Sequence, residues 1–378
     1  MNAKFDVAVV GGGIVGLAHA WMAARRNLRV LLLERDPNAQ GASVRNFGMI
    51  WPIGQPAGEL HQTALRSREL WLELNRAKVV ELEECGSLHL AHRKDEAAVL
   101  DEFTARKSHN VQLLSAEETL RRSPLANPSD LCCAMYSPSE LRLDPRAAIP
   151  RIASWLAEQH GVTCRFGAPV SRVESGELQT ADGERWQAER IIVCGGSDLR
   201  TLYPEILASL GLRLCKLQML KTIPQQRYAS GTPHIASGLT LRHYAVFADC
   251  TTLPALRKRI ADETPELDRF GIHVMASQSP DGSVVLGDSH EYGEEITPFD
   301  KAEIDDLMLR ELRKVIQLED WTIGERWHGI YAKHPDRAFM QVDVAETTHL
   351  FTGIGGAGMT MSFGLAEKAW QKWTGEDA

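Results

Sequence analysis

Six residues near the start of the chain, Gly11-Gly12-Gly13-Ile14-Val15-Gly16, have the types and spacing that bind a pyrophosphate. Gly11 permits a tight turn, Gly13 lets backbone N–H groups approach a phosphate, and Gly16 lets a helix pack closely on a strand. The start of that helix adds a partial positive charge. Glu34 follows at the end of the next apolar run, placed to accept hydrogen bonds from a ribose hydroxyl, with Arg35 beside it. This is dinucleotide chemistry, open at this point between NAD(P) and FAD.

A second glycine cluster decides between them. Gly353-Ile354-Gly355-Gly356-Ala357-Gly358-Met359-Thr360 lies between an apolar run and a helical one at the far end of the chain. A nicotinamide dehydrogenase has no routine need for it. In a flavoprotein, the N–H groups near Gly358, Met359 and Thr360 would face the pyrimidine edge of an isoalloxazine and stabilise its anionic reduced form. FAD is therefore the expected cofactor.

The elements that must hold these residues are legible. Phe5 to Val10 reads as a buried parallel strand, Ile14 to Arg26 as a helix, and Arg29 to Leu33 as a second strand. The segment 41–50 carries Ser43, Arg45, Asn46, Phe47 and Gly48 and runs on into Met49; it reads as a loop lying across the cofactor. Further on, Asp144-Pro145 starts a helix, Val170 opens a strand, and Arg190 to Cys194 ends in Gly195-Gly196, with Ser197-Asp198 expected to begin another helix. Leu239 to Phe247 is expected as a strand, and 271–286 as a hairpin around Pro280-Asp281-Gly282. The expected fold class is α/β (α+β overall). A Rossmann-like FAD-binding domain (1–85, 140–211 and 320–378) is interleaved with an antiparallel-sheet substrate domain (86–139 and 212–319).

Composition narrows the function. The chain has 378 residues, enough for two domains, and 44% hydrophobic content suits a globular protein. A net charge of −8 argues against nucleic-acid binding, which needs a basic face. No stretch approaches the ~20 apolar residues of a membrane span, and the first apolar segment is committed to the glycine motif rather than to a signal peptide. Seven cysteines without metal-ligand spacing imply a reducing cytoplasm and no metal site.

Taken in order, Gly11 to Gly16, Glu34-Arg35, the Ser43/Asn46/Gly48 loop, Asp144-Pro145, Val170, Gly195-Gly196, Trp327 to Asp336 and Gly353 to Thr360 resemble the D-amino-acid oxidase-like flavoproteins. That group includes glycine oxidase and monomeric sarcosine oxidase. The likeness covers nearly the whole chain and is thin in the substrate domain. Segments 41–48 and 327–336 look more like a branch proposed to act in aminophosphonate catabolism. The resemblance implies hydride transfer from an amine-bearing carbon to flavin N5, and hydrolysis of the resulting imine. It also implies a small-molecule amine substrate, with molecular oxygen or another electron acceptor as the second partner.

Departures from the group's pattern bear on the substrate. Tyr331 stands where amino-acid oxidases carry a carboxylate-gripping arginine, and Thr360 where sarcosine oxidase has a lysine. Gly329 replaces the cysteine that tethers flavin there, so FAD is expected to be non-covalent. Tyr331, His273 and Thr360 are the candidate catalytic residues. Arg45, Met49, Arg242, His243 and Lys333 are the candidate substrate ligands; Arg45 is open between flavin and substrate, and His273 between core and pocket.

Overall fold

The computed structural model describes residues 4–225 and 231–376. Two large sheets carry the chain. In the eight-stranded sheet the order runs Met340–Ala345, Thr348–Thr352, Arg185–Val193, Lys4–Val10, Val30–Glu34, Thr163–Phe166, with a side hairpin of Val170–Glu174 and Glu177–Thr180. Its central pairings are parallel, with Val10 opposite both Leu33 and Val193. Residues such as Val7, Val9, Leu31 and Leu32 are buried, as a sheet covered on both faces requires.

Helices cover one face, where Pro145–His160 joins the same core. Ile14–Ala24 packs against Gly358–Thr374, which in turn packs against Glu59–Arg76. Phe363 is the pivot, meeting the rings of Trp21 and Trp71 edge-on at centroid distances of 5.1 and 4.8 Å. Trp71 Nε1 donates to the Met359 carbonyl at 2.8 Å, so the large apolar ring also holds the helix start in place.

The nine-stranded sheet runs Glu291–Gly293, Arg213–Thr222, Val284–Gly287, Met275–Gln278, His234–Ala236, Ser87–Ala91, Cys133–Ser137, Gln112–Ser115. Ile323–Lys333, expected with the nucleotide segments, pairs antiparallel along Arg213–Thr222 instead and belongs to this sheet. The expected hairpin forms, with Ala276 opposite Leu286.

Two expected elements differ. Leu239 to Phe247 is not a strand but two 3₁₀ turns, Gly238–Arg242 and Ala245–Phe247. The Thr240 N–H and hydroxyl both donate back to the Ser237 carbonyl, folding an apolar run that reads as extended. Ser197-Asp198 opens no helix. Asp198 accepts from the N–H groups of Arg200 and Thr201, holding a turn, and the helix begins only at Pro204. All seven cysteines are free. No described helix is long and apolar enough to cross a membrane.

Candidate cofactor and substrate site

A cavity of ≈740 Å³ lies between the two sheets and receives both glycine clusters. At one end Gly11, at φ +110°, has the Cys194 carbonyl where a Cβ would sit, and a Cβ on Gly16 would fall 1.9 Å from the Gly11 carbonyl. These glycines leave no alternative residue. Gly13, Ile14, Val15 and Gly16 form the adjoining wall, and Gly13 gives the helix no side-chain cap. Ser43 Oγ takes the Ile14 N–H at 3.0 Å.

Glu34 accepts from Gly12 N–H at 2.6 Å and from Asp36 N–H at 3.0 Å, which orients its carboxylate at the cavity wall with lone pairs to spare. Arg35 also lines the wall while pairing with Asp198 at 3.0 Å. Val170, Gly195 and Gly196 complete this end.

The loop 41–50 crosses the middle. Asn46 Nδ2 donates to the carbonyls of Ala42 and Ser43, and its Oδ1 accepts the Gly48 N–H, so its amide shapes the loop from within. Gly48, at φ +72°, is off the wall; it lets the chain pass the Leu143 carbonyl. Phe47 and Met49 are on the wall, as is Arg45, whose Nη1 donates to the His328 carbonyl at 3.2 Å. Trp327 lies outside the cavity lining. Its Nε1 donates to the Arg45 carbonyl and the Arg146 guanidinium sits 5.0 Å over its ring, so it supports the loop from behind.

At the other end Gly353, Gly355, Gly356, Ala357, Gly358, Met359 and Thr360 line the wall, and the helix that starts here again lacks a side-chain cap. Tyr331 packs 3.6 Å from the position a Gly356 Cβ would take, and Lys333 3.5 Å from that of Gly355. The missing side chains make room for both. Burial pushes the Tyr331 phenol well up, so it keeps its proton. Two helix starts whose N-cap residues, Gly13 and Ala357, make no side-chain cap bond, a glycine-lined cradle and this volume together fit an extended FAD.

Beyond lie residues that sequence reasoning missed: Trp51, Tyr244, Met275, Asp288 and His290 line the cavity with His243 and His273. Burial drives the Asp288 carboxyl well up and the imidazoles of His243, His273 and His290 well down, the last to about 3. Arg242, expected at the substrate, is outside the main cavity. It spends its donors on Asp268 and on the carbonyls of Leu239 and Ile272.

The family model described as "DAO: FAD dependent oxidoreductase" matches residues 6–370. The chain belongs to the FAD-dependent oxidoreductase family. This flavoprotein is 27% identical over 221 residues to N-methyl-L-tryptophan oxidase of Escherichia coli K12, a match covering 54% of the chain and 56% of that relative. The likeness thus spans just over half of the curated relative's length. Among solved structures, glycine oxidase from Geobacillus kaustophilus superposes with a TM-score of 0.78 at 18% identity, covering 100% of this chain and 96% of the other. Iminodiacetate oxidase from Chelativorans sp. BNC1 gives 0.73 at 22%, covering 98% and 96%. These two similarities establish the shared fold.

Proposed function

We propose that this flavoenzyme oxidises the C–N bond of a small anionic amine, with 2-aminoethylphosphonate or its N-methyl derivative favoured. One observation carries the reading. Lys333 stands on the cavity wall beside Tyr331, facing Gly355, with no acidic partner found among the described residues and no arginine in Tyr331's place. An anion placed there meets a cation and a neutral phenol donor rather than a bidentate carboxylate fork. That suits a tetrahedral phosphonate.

Bound non-covalently, FAD would accept a hydride at N5 from the amine-bearing carbon, leaving an imine that water hydrolyses to an aldehyde and an amine or ammonia. The protein's part is positional. Phe47, Met49, Trp51 and Tyr244 would exclude water from the reacting face, while Lys333 and Tyr331 anchor the anion. In this reading segments 1–85, 140–211 and 334–378 carry the cofactor, and 86–139 and 212–333 the substrate.

Oxygen-electrode assays with 2-aminoethylphosphonate, its N-methyl derivative, glycine, sarcosine and D-alanine test the proposal. Turnover of the amino acids alone, with no aminophosphonate oxidised, would overturn it. A dehydrogenase is the second reading, favoured by Lys216. Its buried ammonium is spent on the Thr297 carbonyl at 3.1 Å and Asp300 at 2.7 Å, away from the cavity lining where it could assist oxygen. Dye reduction without oxygen uptake would select that reading.

A further inference from the structure

We propose that His243, His273, His290 and Asp288 bind one divalent transition-metal ion on the substrate side of the cavity, with an open position for an anionic oxygen of the substrate. A donor nitrogen from each of the three imidazoles lies within 4.8 Å of the others. Among the described residues neither ring nitrogen of His273 has a hydrogen-bond partner, nor does Asp288 Oδ1, although both residues are more than nine-tenths buried. Buried polar atoms are rarely left so, and a cation would satisfy His273 Nε2 and Asp288 Oδ1 together.

The spacing is that of ligands rather than of hydrogen-bond partners. Asp288 Oδ1 stands 3.5 Å from His273 Nε2, and Oδ2 stands 3.8 Å from His290 Nε2. Both are too long for a good hydrogen bond. A five-coordinate ion, with four protein donors at about 2.0–2.1 Å and one position open, separates neighbouring donor atoms by about 2.9–3.6 Å. Binding therefore draws the donors inward only slightly along these two edges.

The backbone is built to present them. The His273 N–H donates to the Asp288 carbonyl at 3.3 Å and the Asp288 N–H to the His273 carbonyl at 3.1 Å, so the pair extends the Met275–Gln278 and Val284–Gly287 hairpin with the two residues directly opposed. His290 comes close only because Gly271 has no side chain: a Cβ there would lie 2.8 Å from His290 Cβ. His290 Nδ1 is 3.2 Å from the Gly271 carbonyl, which makes Nδ1 the donor and leaves Nε2 free, facing Asp288. Such a carbonyl behind a histidine is how metal ligands are oriented.

Three imidazoles and a carboxylate select zinc, cobalt, nickel or ferrous iron over magnesium or calcium, which take oxygen ligands. The ion would offset the buried Asp288 charge and, with Lys333, leave net positive charge facing the cavity. The open position rests on the amine reading above; the ion does not.

Purified FAD-bound protein, stripped with a chelator, is titrated with Co²⁺ and followed by cobalt d–d absorption beyond the flavin bands and by elemental analysis. The expected result is about one ion per chain, with affinity lowered roughly a hundredfold in His273→Ala/His290→Ala and at least tenfold in Asp288→Asn. His243→Gln, at a less buried position, serves where the double variant loses FAD or melts early, and should also weaken binding. Absence of cobalt bands in the wild type, or unchanged binding in the variants, would overturn the site. Methylphosphonate should then shift the cobalt bands; unshifted bands would overturn the open position. Metal content is read without turnover, so a protein that binds cobalt but oxidises no anionic amine loses only the substrate reading.

Discussion

Thr360 Oγ1 accepts the backbone N–H of Trp51 at 2.9 Å, joining residues 309 positions apart. The bond ties the first turn of the helix Gly358–Thr374 to the chain leaving the cofactor loop. Trp71 anchors the same turn through Met359, and Ser362 closes it on Gly358. This wall of the cavity is thus held from two distant parts of the sequence.

Thr360→Val keeps the shape and removes the acceptor, leaving a buried N–H unsatisfied. It should cost about 1–3 kcal/mol. Thr360→Ser should recover most of the loss. Denaturant midpoints of the FAD-bound protein measure both, and equal stability of the two variants would contradict the bond's role.

Gly16→Ala places a methyl group 1.9 Å from the Gly11 carbonyl, so helix and turn must separate. Bound flavin per chain, read from the absorbance of purified protein, should fall at least about tenfold. Gly41→Ala is the control. A Cβ there meets nothing within 4 Å, and flavin content should be unchanged.

Lys333→Met removes the cation and keeps most of the stem. If it grips the substrate anion, KM for an anionic amine should rise about tenfold to a hundredfold, with kcat little changed. Tyr331→Phe should raise KM less, since a neutral donor is lost. Steady-state kinetics separate these effects, and a change in kcat alone would place Lys333 in the chemistry instead.

His19, His89 and His234 are fully buried, and burial pulls each from the ordinary 6.5 to about 3. Folded, they remain neutral down to about pH 3; unfolded, each protonates near 6.5. The unfolded chain therefore binds more protons between those values. Stability should be fully present above pH 6.5 and fall as pH drops toward 3. His234 Nε2 lies 3.2 Å from the Leu141 carbonyl. His234→Gln keeps a donor there and should flatten the slope by about 1.4 kcal/mol per pH unit in that window.

What was legible in the sequence is what short-range chemistry dictates. Gly11 to Gly16 could be read because turn, phosphate approach and helix packing each demand glycine within six positions. Asp144-Pro145 was equally plain, and the Asp144 carboxylate does accept the Arg146 N–H. The far wall of the cavity was hidden because its residues meet only through pairing. Asp288 and His290 reach His273 through a hairpin extension and a contact allowed by Gly271, neither of which leaves a local pattern. Arg242 looked available because sequence shows a charge and not the two carbonyls and one carboxylate that consume it. Trp327 was placed on the cofactor by its position in a motif, while its indole turns to the back of the loop.

The parallel order of the first sheet also bears on how the protein is made. Lys4–Val10 emerges from the ribosome with Val30–Glu34 close behind, but its other neighbour, Arg185–Val193, follows much later, and Thr348–Thr352 later still. Through most of synthesis an apolar strand edge stands unpaired, the kind of surface that invites aggregation and chaperone attention. Because Gly353 to Thr360 supplies one wall of the cavity, that wall cannot form until residue 360 has been made, long after the first glycine cluster has left the ribosome.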